Sequence, residues 1–269
     1  MFYLFQHKGR ASPVYHALLE GPMSAQATKK ISARFADEEV ASSSTYGAGY
    51  TGLKNPQDQH ALLHGYFPKL GAPDFAIAER ELPDGAEGYL EVPLWESIAS
   101  SPDEALKMIF DLLYANHPRK FYYDPAHYNY KISFRHSTRF VEMMARITEE
   151  QKGHGSILLP VQAGIRHAGR SIRRARELME LEGNDEFGLD AYIGSVLMLT
   201  HPKRIQKESD LQMDLPGDEA DDRQFGGERF SAAPYYYITD KDKLLGFASG
   251  PSNFPLGSNG SASAWAPHQ

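Results

Sequence analysis

The sequence contains no cysteine. Its absence excludes disulfide bonds, thiolate nucleophiles and cysteine-bound zinc, although it constrains the cellular compartment only loosely. The chain also lacks a run of roughly 18 apolar residues, which a membrane-spanning helix requires. Residues 1–10 place their apolar side chains before the basic ones and are too short for a secretory signal. These absences predict a cytoplasmic protein with no membrane partner, whose first residues form a strand.

Positive charge is also in short supply. The chain carries 28 Lys and Arg against 35 Asp and Glu, so its formal net charge is −7. This balance argues against a protein whose whole surface wraps nucleic acid, but it is compatible with a local basic patch. We find no internal repeat and no clear linker. The sequence therefore predicts one domain over residues 1–269, with its weakest point at 151–155 and a tail of low-complexity composition at 250–269.

Helices and strands alternate irregularly along the sequence. Ser101 and Pro102 give the clearest helix start, with Glu104 closing a capping box. We predict core helices at 102–116, 139–152 and 186–200, and a C-terminal β-hairpin over 235–247 that turns at 240–242. This order predicts an α+β fold, because regular βα alternation is missing. The side chains expected in the core are Leu106, Phe110, Phe140, Met144, Leu189, Ile193 and Leu197.

The strongest local pattern runs from Gly164 to Ser171. It fits the phosphate-loop spacing G-x-x-x-x-G-K-[ST], except that Arg170 stands where lysine is expected, and it lies between an apolar run and a helix. A guanidinium is a planar fork and does not replace a lysine directly. No later strand ends in the aspartate that would hold Mg²⁺. The pattern therefore indicates, at most, a degenerate phosphate-loop enzyme that binds a nucleotide.

The charges of this segment suggest a bound anion. Ser171 is a plausible N-cap, and arginines in the first turn of a helix oppose its dipole. Arg173 and Arg176 have glutamates four residues later, whereas Arg166, Arg170 and Arg174 have no such local partner. Something negative is therefore expected to face them. The predicted anion- or nucleic-acid-binding residues are Arg166, His167, Gly169, Arg170, Ser171, Arg173 and Arg174.

Three functions follow from this segment. The first is binding of a phosphate-bearing ligand, with nucleic acid the leading choice, through residues 164–176. The second is a structural or assembly protein, in which the same residues latch onto the acidic loop 210–222 or onto a partner subunit of a homo-oligomer. The third is the degenerate phosphate-loop enzyme. The sequence does not decide whether the protein is an enzyme, and it predicts no cofactor.

Two further patterns have ordinary explanations. His60 and His64 lie four residues apart on a predicted helix, a spacing that lets two imidazoles share a metal. Ala61 occupies the position where metalloproteases have glutamate, and we identify no carboxylate or third ligand. We therefore predict no metal site there. The acidic run 210–222 lacks the alternation of a calcium-binding loop, so we expect a solvated surface loop.

Overall fold

The computed structural model describes residues 34–123, 134–181, 185–221, 223 and 227–266. All of these except Arg34 belong to one unit, residues 35–269. The strand predicted for the first residues lies outside the described part of the chain. Within that part, six α-helices and eleven strands confirm the α+β class. No helix among the described residues is long and apolar enough to cross a bilayer.

Five of the six described α-helices begin after a residue whose side chain caps them. In chain order they are α1 (Pro56–Tyr66), α2 (Trp95–Ile98), α3 (Pro102–Asn116), α4 (Thr138–Glu150), α5 (Ile172–Leu181) and α6 (Ala191–Thr200), with short 3-10 helices at Phe75–Glu79 and Ile165–His167. The Ser101 hydroxyl accepts a hydrogen bond from the backbone N–H of Glu104 at 3.2 Å, which caps α3 as predicted. Helix α3 matches its predicted bounds, and α4 ends two residues earlier than expected.

The strands form two sheets. They are β1 (Gly88–Pro93), β2 (Lys120–Tyr122), β3 (Phe134–His136), β4 (Ser156–Gln162), β5 (Glu186–Gly188), β6 (Gln212–Asp214), β7 (Asp218–Ala220), β8 (Ala232–Thr239), β9 (Leu244–Pro251), β10 (Asn259–Ser261) and β11 (Ser263–Trp265). The four-stranded sheet is antiparallel, in the order β1-β4-β11-β5. The seven-stranded sheet follows the order β10-β6-β8-β7-β3, and β9 joins β8 to β2.

The predicted hairpin is confirmed. Strands β8 and β9 pair antiparallel from Ala232–Pro251 to Thr239–Leu244, and the turn occupies residues 240–243. Tyr236 and Phe247 of this hairpin are buried in the core, whereas Tyr235 and Tyr237 lie on the other face and are partly buried. Period-two alternation and a polar turn were therefore sufficient signals for this element.

Residues 259–266 of the C-terminal tail are buried. Strand β10 pairs with β6 in the larger sheet, and β11 lies between β4 and β5 in the smaller one. Trp265 is fully buried. A Cβ on Gly260 would collide with the Gly164 carbonyl, so the composition of the tail permits close backbone approach here. The small residues of the tail thus permit tight packing between Asn259 and Ala266.

Two expectations near the centre of the chain are wrong. Residues 186–188 form β5, and the helix expected over 186–200 begins only after the cap residue Asp190. The acidic run is not a solvated loop either, since it forms β6 and β7 and buries Asp214 and Asp218. Each buried carboxylate has a polar partner, which short-range charge counting does not reveal.

One hydrophobic cluster joins both sheets to α3 and α6. Helix α6 is buried on every side. Gln151 bridges the predicted weak point at 151–155, because its side-chain amide binds both the N–H and the C=O of Leu158. Of the seven predicted core side chains, Met144 is only partly buried and the others are buried as expected.

Candidate functional site

The basic segment, residues 164–176, follows β4 and includes the first half of α5. Every backbone N–H from Gly164 to Ser171 donates to an acceptor within the chain, at 2.7–3.4 Å. The acceptors are the Gln162 amide oxygen, the Tyr46 hydroxyl and the carbonyls of Glu38, Gly164, Ile165, His167 and Asn259. This leaves no N–H group in the loop to surround a phosphate, which removes the physical basis of the phosphate-loop pattern.

The side chains of the segment face carboxylates. Two of these come from the acidic strap, which we define as Glu38 and Glu39. Arg174 Nε lies 2.5 Å from Glu39 Oε1, and Arg170 Nε lies 3.5 Å from Glu39 Oε2. Arg173 binds Glu38 through Nε and Nη2, and the Ser171 hydroxyl donates to the same carboxylate at 2.6 Å. The arginines at 166, 170, 173 and 174 thus face this strap and Glu186. The acidic loop 210–222, one of the alternatives that the sequence left open, contacts the segment through Arg176, which donates to the backbone carbonyls of Pro216 and Asp218 at 2.8 and 2.7 Å.

Ser171 also caps α5, as predicted. Its hydroxyl accepts the backbone N–H of Arg174 at 3.1 Å. The hydrogen bond and charge of Arg173 outweigh burial and hold the pKa of Glu38 below its usual value. The Ser171 cap therefore satisfies a backbone N–H at the start of α5, and the Glu38 carboxylate offsets part of the positive charge there.

Glu186 is the second carboxylate centre and is fully buried. Its Oε1 accepts hydrogen bonds from His167 Nε2 at 2.9 Å and from the Ser263 hydroxyl at 2.5 Å, while Arg166 Nε lies 3.3 Å from Oε2. Burial alone would raise the pKa of Glu186, but the hydrogen bonds from His167 and Ser263 and the charge of Arg166 lower it below its usual value.

His167 has a defined tautomer. Arg170 Nη1 lies 3.0 Å from His167 Nδ1, and a guanidinium only donates hydrogen bonds. Nδ1 must therefore accept, and Nε2 carries the proton that is donated to Glu186. The imidazole therefore links a guanidinium to a carboxylate.

The seven predicted site residues all lie in this segment, near the strap or Glu186. Gly169 belongs to the group because a Cβ there would collide with the carbonyl of Val40, next to the strap. His167 is fully buried, whereas the Arg173 side chain is 40% exposed. Glu38, Glu39 and Glu186 were missed, since none lies within helical reach of the arginine that it binds.

A second cluster was also missed. His136 ends β3 and stands directly opposite Asp218, the first residue of β7. His136 Nδ1 lies 2.7 Å from Asp218 Oδ1 and 3.8 Å from Asp190 Oδ2. Burial would lower the pKa of His136, but the two aspartates outweigh it and raise the pKa to about 9. Among the described residues, this is the one group of three whose ligand atoms are close enough to hold a metal ion.

His60 has a carboxylate partner, contrary to the sequence-based expectation. Its Nδ1 lies 2.8 Å from Oε1 of the fully buried Glu91, and the Ser156 hydroxyl donates to the same oxygen at 2.7 Å. Burial raises the pKa of Glu91. The rings of His60 and His64 are neighbours on α1, with centres 5.7 Å apart. Glu91 reaches His60 from β1, a pairing that only the fold creates.

Two buried groups elsewhere should make the stability of the protein depend on pH in opposite directions. His201 accepts the Lys54 backbone N–H at 2.8 Å, and burial, together with the charge of Lys54, lowers its pKa to about 4. Asp214 accepts a hydrogen bond from Asn259, yet burial raises its pKa to about 6. At pH values between the shifted pKa and the ordinary pKa of each group, the folded chain binds fewer protons at His201, and more at Asp214, than the unfolded chain does.

We expect His201→Gln and Asp214→Asn to change the pH dependence of stability in opposite directions. The His201 contribution is present above pH 6.5 and is lost as the pH falls towards 4, by up to about 3 kcal/mol. The burial penalty of Asp214 is present above pH 6 and is relieved as the pH falls towards 3.8, by a similar amount.

Urea unfolding of wild type and both variants between pH 4 and 8 measures these contributions. The wild-type minus variant difference should rise with pH for His201→Gln and fall with pH for Asp214→Asn. If both differences changed with pH in the same direction, the assignment would be contradicted.

A scan against protein-family models finds no match to this chain, and searches of curated proteins and of solved structures find no significant one. The function is therefore argued from the geometry of the residues above.

Proposed function

We propose that the basic segment is an internal clasp and that the chain is a structural or assembly protein. The support is that the segment's hydrogen-bonding groups are used within the chain. Its backbone binds the strap region through Val40 N–H to Gly169 O at 2.8 Å, and binds the tail through Gly169 N–H to Asn259 O at 2.9 Å. In α5, the Arg173 N–H donates to Ser252 O at 3.0 Å. Three distant parts of the chain are thereby held together.

The local charge balance supports the same function. Four arginines, at 166, 170, 173 and 174, face the three carboxylates of Glu38, Glu39 and Glu186. A nucleic-acid surface gains its affinity from an excess of cations that neutralise several phosphates and release counterions. A nearly balanced cluster has little such excess. Its arginine forks gain more from the carboxylates that they already contact.

A double-mutant cycle on Arg174 and Glu39 tests the clasp. Arg174 is only 9% exposed and Glu39 is 33% exposed, so we expect a coupling free energy of about 1 kcal/mol between Arg174→Gln and Glu39→Gln. The matched control is the Lys107–Asp111 pair on α3, whose side chains are 65% and 57% exposed. Because solvent screens that pair, its coupling should be roughly 0.3 kcal/mol. Equal coupling in the two pairs would contradict a structural clasp.

The second arm measures binding. Wild type and the variant Arg166→Gln/Arg170→Gln/Arg174→Gln are titrated with a generic oligonucleotide and with pyrophosphate across a salt series. The clasp predicts a less stable triple variant and no specific anion binding by either protein. Salt-dependent binding by wild type that the triple variant loses would overturn the clasp in favour of the second candidate.

That second candidate is binding of a phosphate group, either on a small molecule or on nucleic acid. It is favoured by one observation: Glu39 and Arg170 are both about one-third exposed. Rotation of the Glu39 side chain into solvent would leave Arg170 and Arg174 as a fork for a phosphate. In that case Glu39→Gln should tighten pyrophosphate binding about tenfold, since a competing carboxylate is gone. The clasp predicts no change.

A further inference from the structure

The cluster at the end of β3 is built from three separate elements. His136 comes from β3, Asp218 from β7, and Asp190 is the N-cap of α6. Each carboxylate has one oxygen held by the backbone of α6. Asp190 Oδ1 accepts the Ile193 N–H at 2.7 Å, and Asp218 Oδ2 accepts the Ala191 N–H at 2.8 Å. These bonds direct the other oxygen of each carboxylate towards His136 Nδ1.

We propose that His136 Nδ1, Asp190 Oδ2 and Asp218 Oδ1 form a binding site for a divalent transition-metal ion of the zinc class. One imidazole nitrogen and two carboxylate oxygens are ligand types that zinc accepts, at about 2.0–2.2 Å. The three ligand atoms lie within 4.8 Å of one another. Ligand atoms of one tetrahedral zinc ion are about 3.3 Å apart, so binding requires side-chain shifts on the order of 1 Å.

The ligands are held in place before any ion binds. The Phe140 ring stacks on the His136 ring, with centres 4.7 Å apart and an interplanar angle of 26°. Both carboxylates are buried and fixed by the α6 backbone, which is the kind of outer support that metal ligands commonly have. His136 is 33% exposed, so an ion can reach the ring and keep a water ligand on its open side.

A metal ion, unlike the proton on His136, could contact both carboxylates at once. A proton on His136 Nδ1 is donated to Asp218 at 2.7 Å, but Asp190 Oδ2, at 3.8 Å, is beyond hydrogen-bond range of that nitrogen. A metal ion would take the place of that proton and would bind both carboxylate oxygens and the ring nitrogen at once.

Metal binding by the chelator-treated full chain tests the site. We expect one equivalent of zinc chloride to bind with a Kd in the micromolar range or below, and to raise the midpoint of thermal unfolding. Asp190→Asn is the most informative variant, because asparagine is an equally good N-cap and preserves the α6 start. It should weaken zinc binding at least tenfold while remaining folded. His136→Gln should have a similar effect.

The matched control is His60→Ala/His64→Ala, which removes the histidine pair on α1. That variant should bind zinc at the proposed site as wild type does. With cobalt(II) chloride as the probe, the visible absorption of the bound ion should persist in this control and disappear in His136→Gln. Loss of zinc only in the α1 control, or no stoichiometric metal on wild type, would overturn the proposal.

Discussion

Replacing Arg204 by alanine should lower the free energy of unfolding by about 3–5 kcal/mol. Arg204 is among the largest fully buried side chains of the described residues. Its Nε donates to the Ala163 carbonyl at 2.9 Å, and its Nη1 donates to the Leu211 carbonyl at 2.5 Å. The guanidinium carbon also lies 4.2 Å from the centre of the Tyr46 ring. Arg204 thus joins the end of β4 to the start of β6.

Alanine at 204 would leave both carbonyls without this donor and open a cavity beneath Tyr46. Burial lowers the pKa of Arg204, and the tyrosines and Glu87 offset part of that effect. The buried positive charge of Arg204 is therefore stabilised by surrounding oxygens and tyrosine rings rather than by one close carboxylate. Arg204→Lys should recover only part of the loss, because an ammonium cannot reproduce the geometry of the guanidinium fork.

Urea unfolding of Arg204→Ala, Arg204→Lys and wild type measures the effect. Arg80→Ala is the control, since Arg80 pairs with Glu150 at the surface and its side chain is 49% exposed. We expect that variant to lose less than about 1 kcal/mol. If the Arg204→Ala and Arg80→Ala losses were equal, the buried hydrogen bonds of Arg204 would contribute nothing measurable.

Phe110→Ala should cost about 3–5 kcal/mol as well, for a different reason. The Phe110 side chain is 1% exposed, and its ring centre lies 4.9 Å from that of Phe247 and 5.4 Å from that of Phe121. Helix α3 therefore meets the seven-stranded sheet through this ring. Truncation to alanine removes buried apolar area. It also leaves a cavity between the helix and two strands, which the close-packed elements cannot shift far enough to fill.

Tyr114→Ala on the same helix is the matched control. Its side chain is 64% exposed, so the loss should stay within about 0.5 kcal/mol. Chemical denaturation of both variants and wild type gives the comparison. A loss below about 1 kcal/mol for Phe110→Ala would refute the core assigned to α3.

The sequence by itself determined the elements whose stabilising interactions are local. Helix α3 needs a cap at Ser101 and an apolar stripe, and both lie within its own residues. The β8–β9 hairpin needs alternation and a polar turn, and both lie within 20 residues. The sequence also shows several arginines at the start of α5. The helix dipole makes such a cluster unfavourable, so the presence of a negative partner could be predicted.

Only the tertiary structure decided what that partner is. Glu39 and Arg174 are 135 residues apart in the chain, and His136 and Asp218 are 82 apart. The acidic run illustrates the same limit. Its sequence predicts solvated aspartates, but in the folded chain Asn259 binds Asp214 and His136 binds Asp218 from other strands. Electrostatic energy depends on distance in space and on local burial. For residues far apart in the chain, the distance in space and the burial are set only when the sheets form. The tertiary structure therefore decides which charges lie close together.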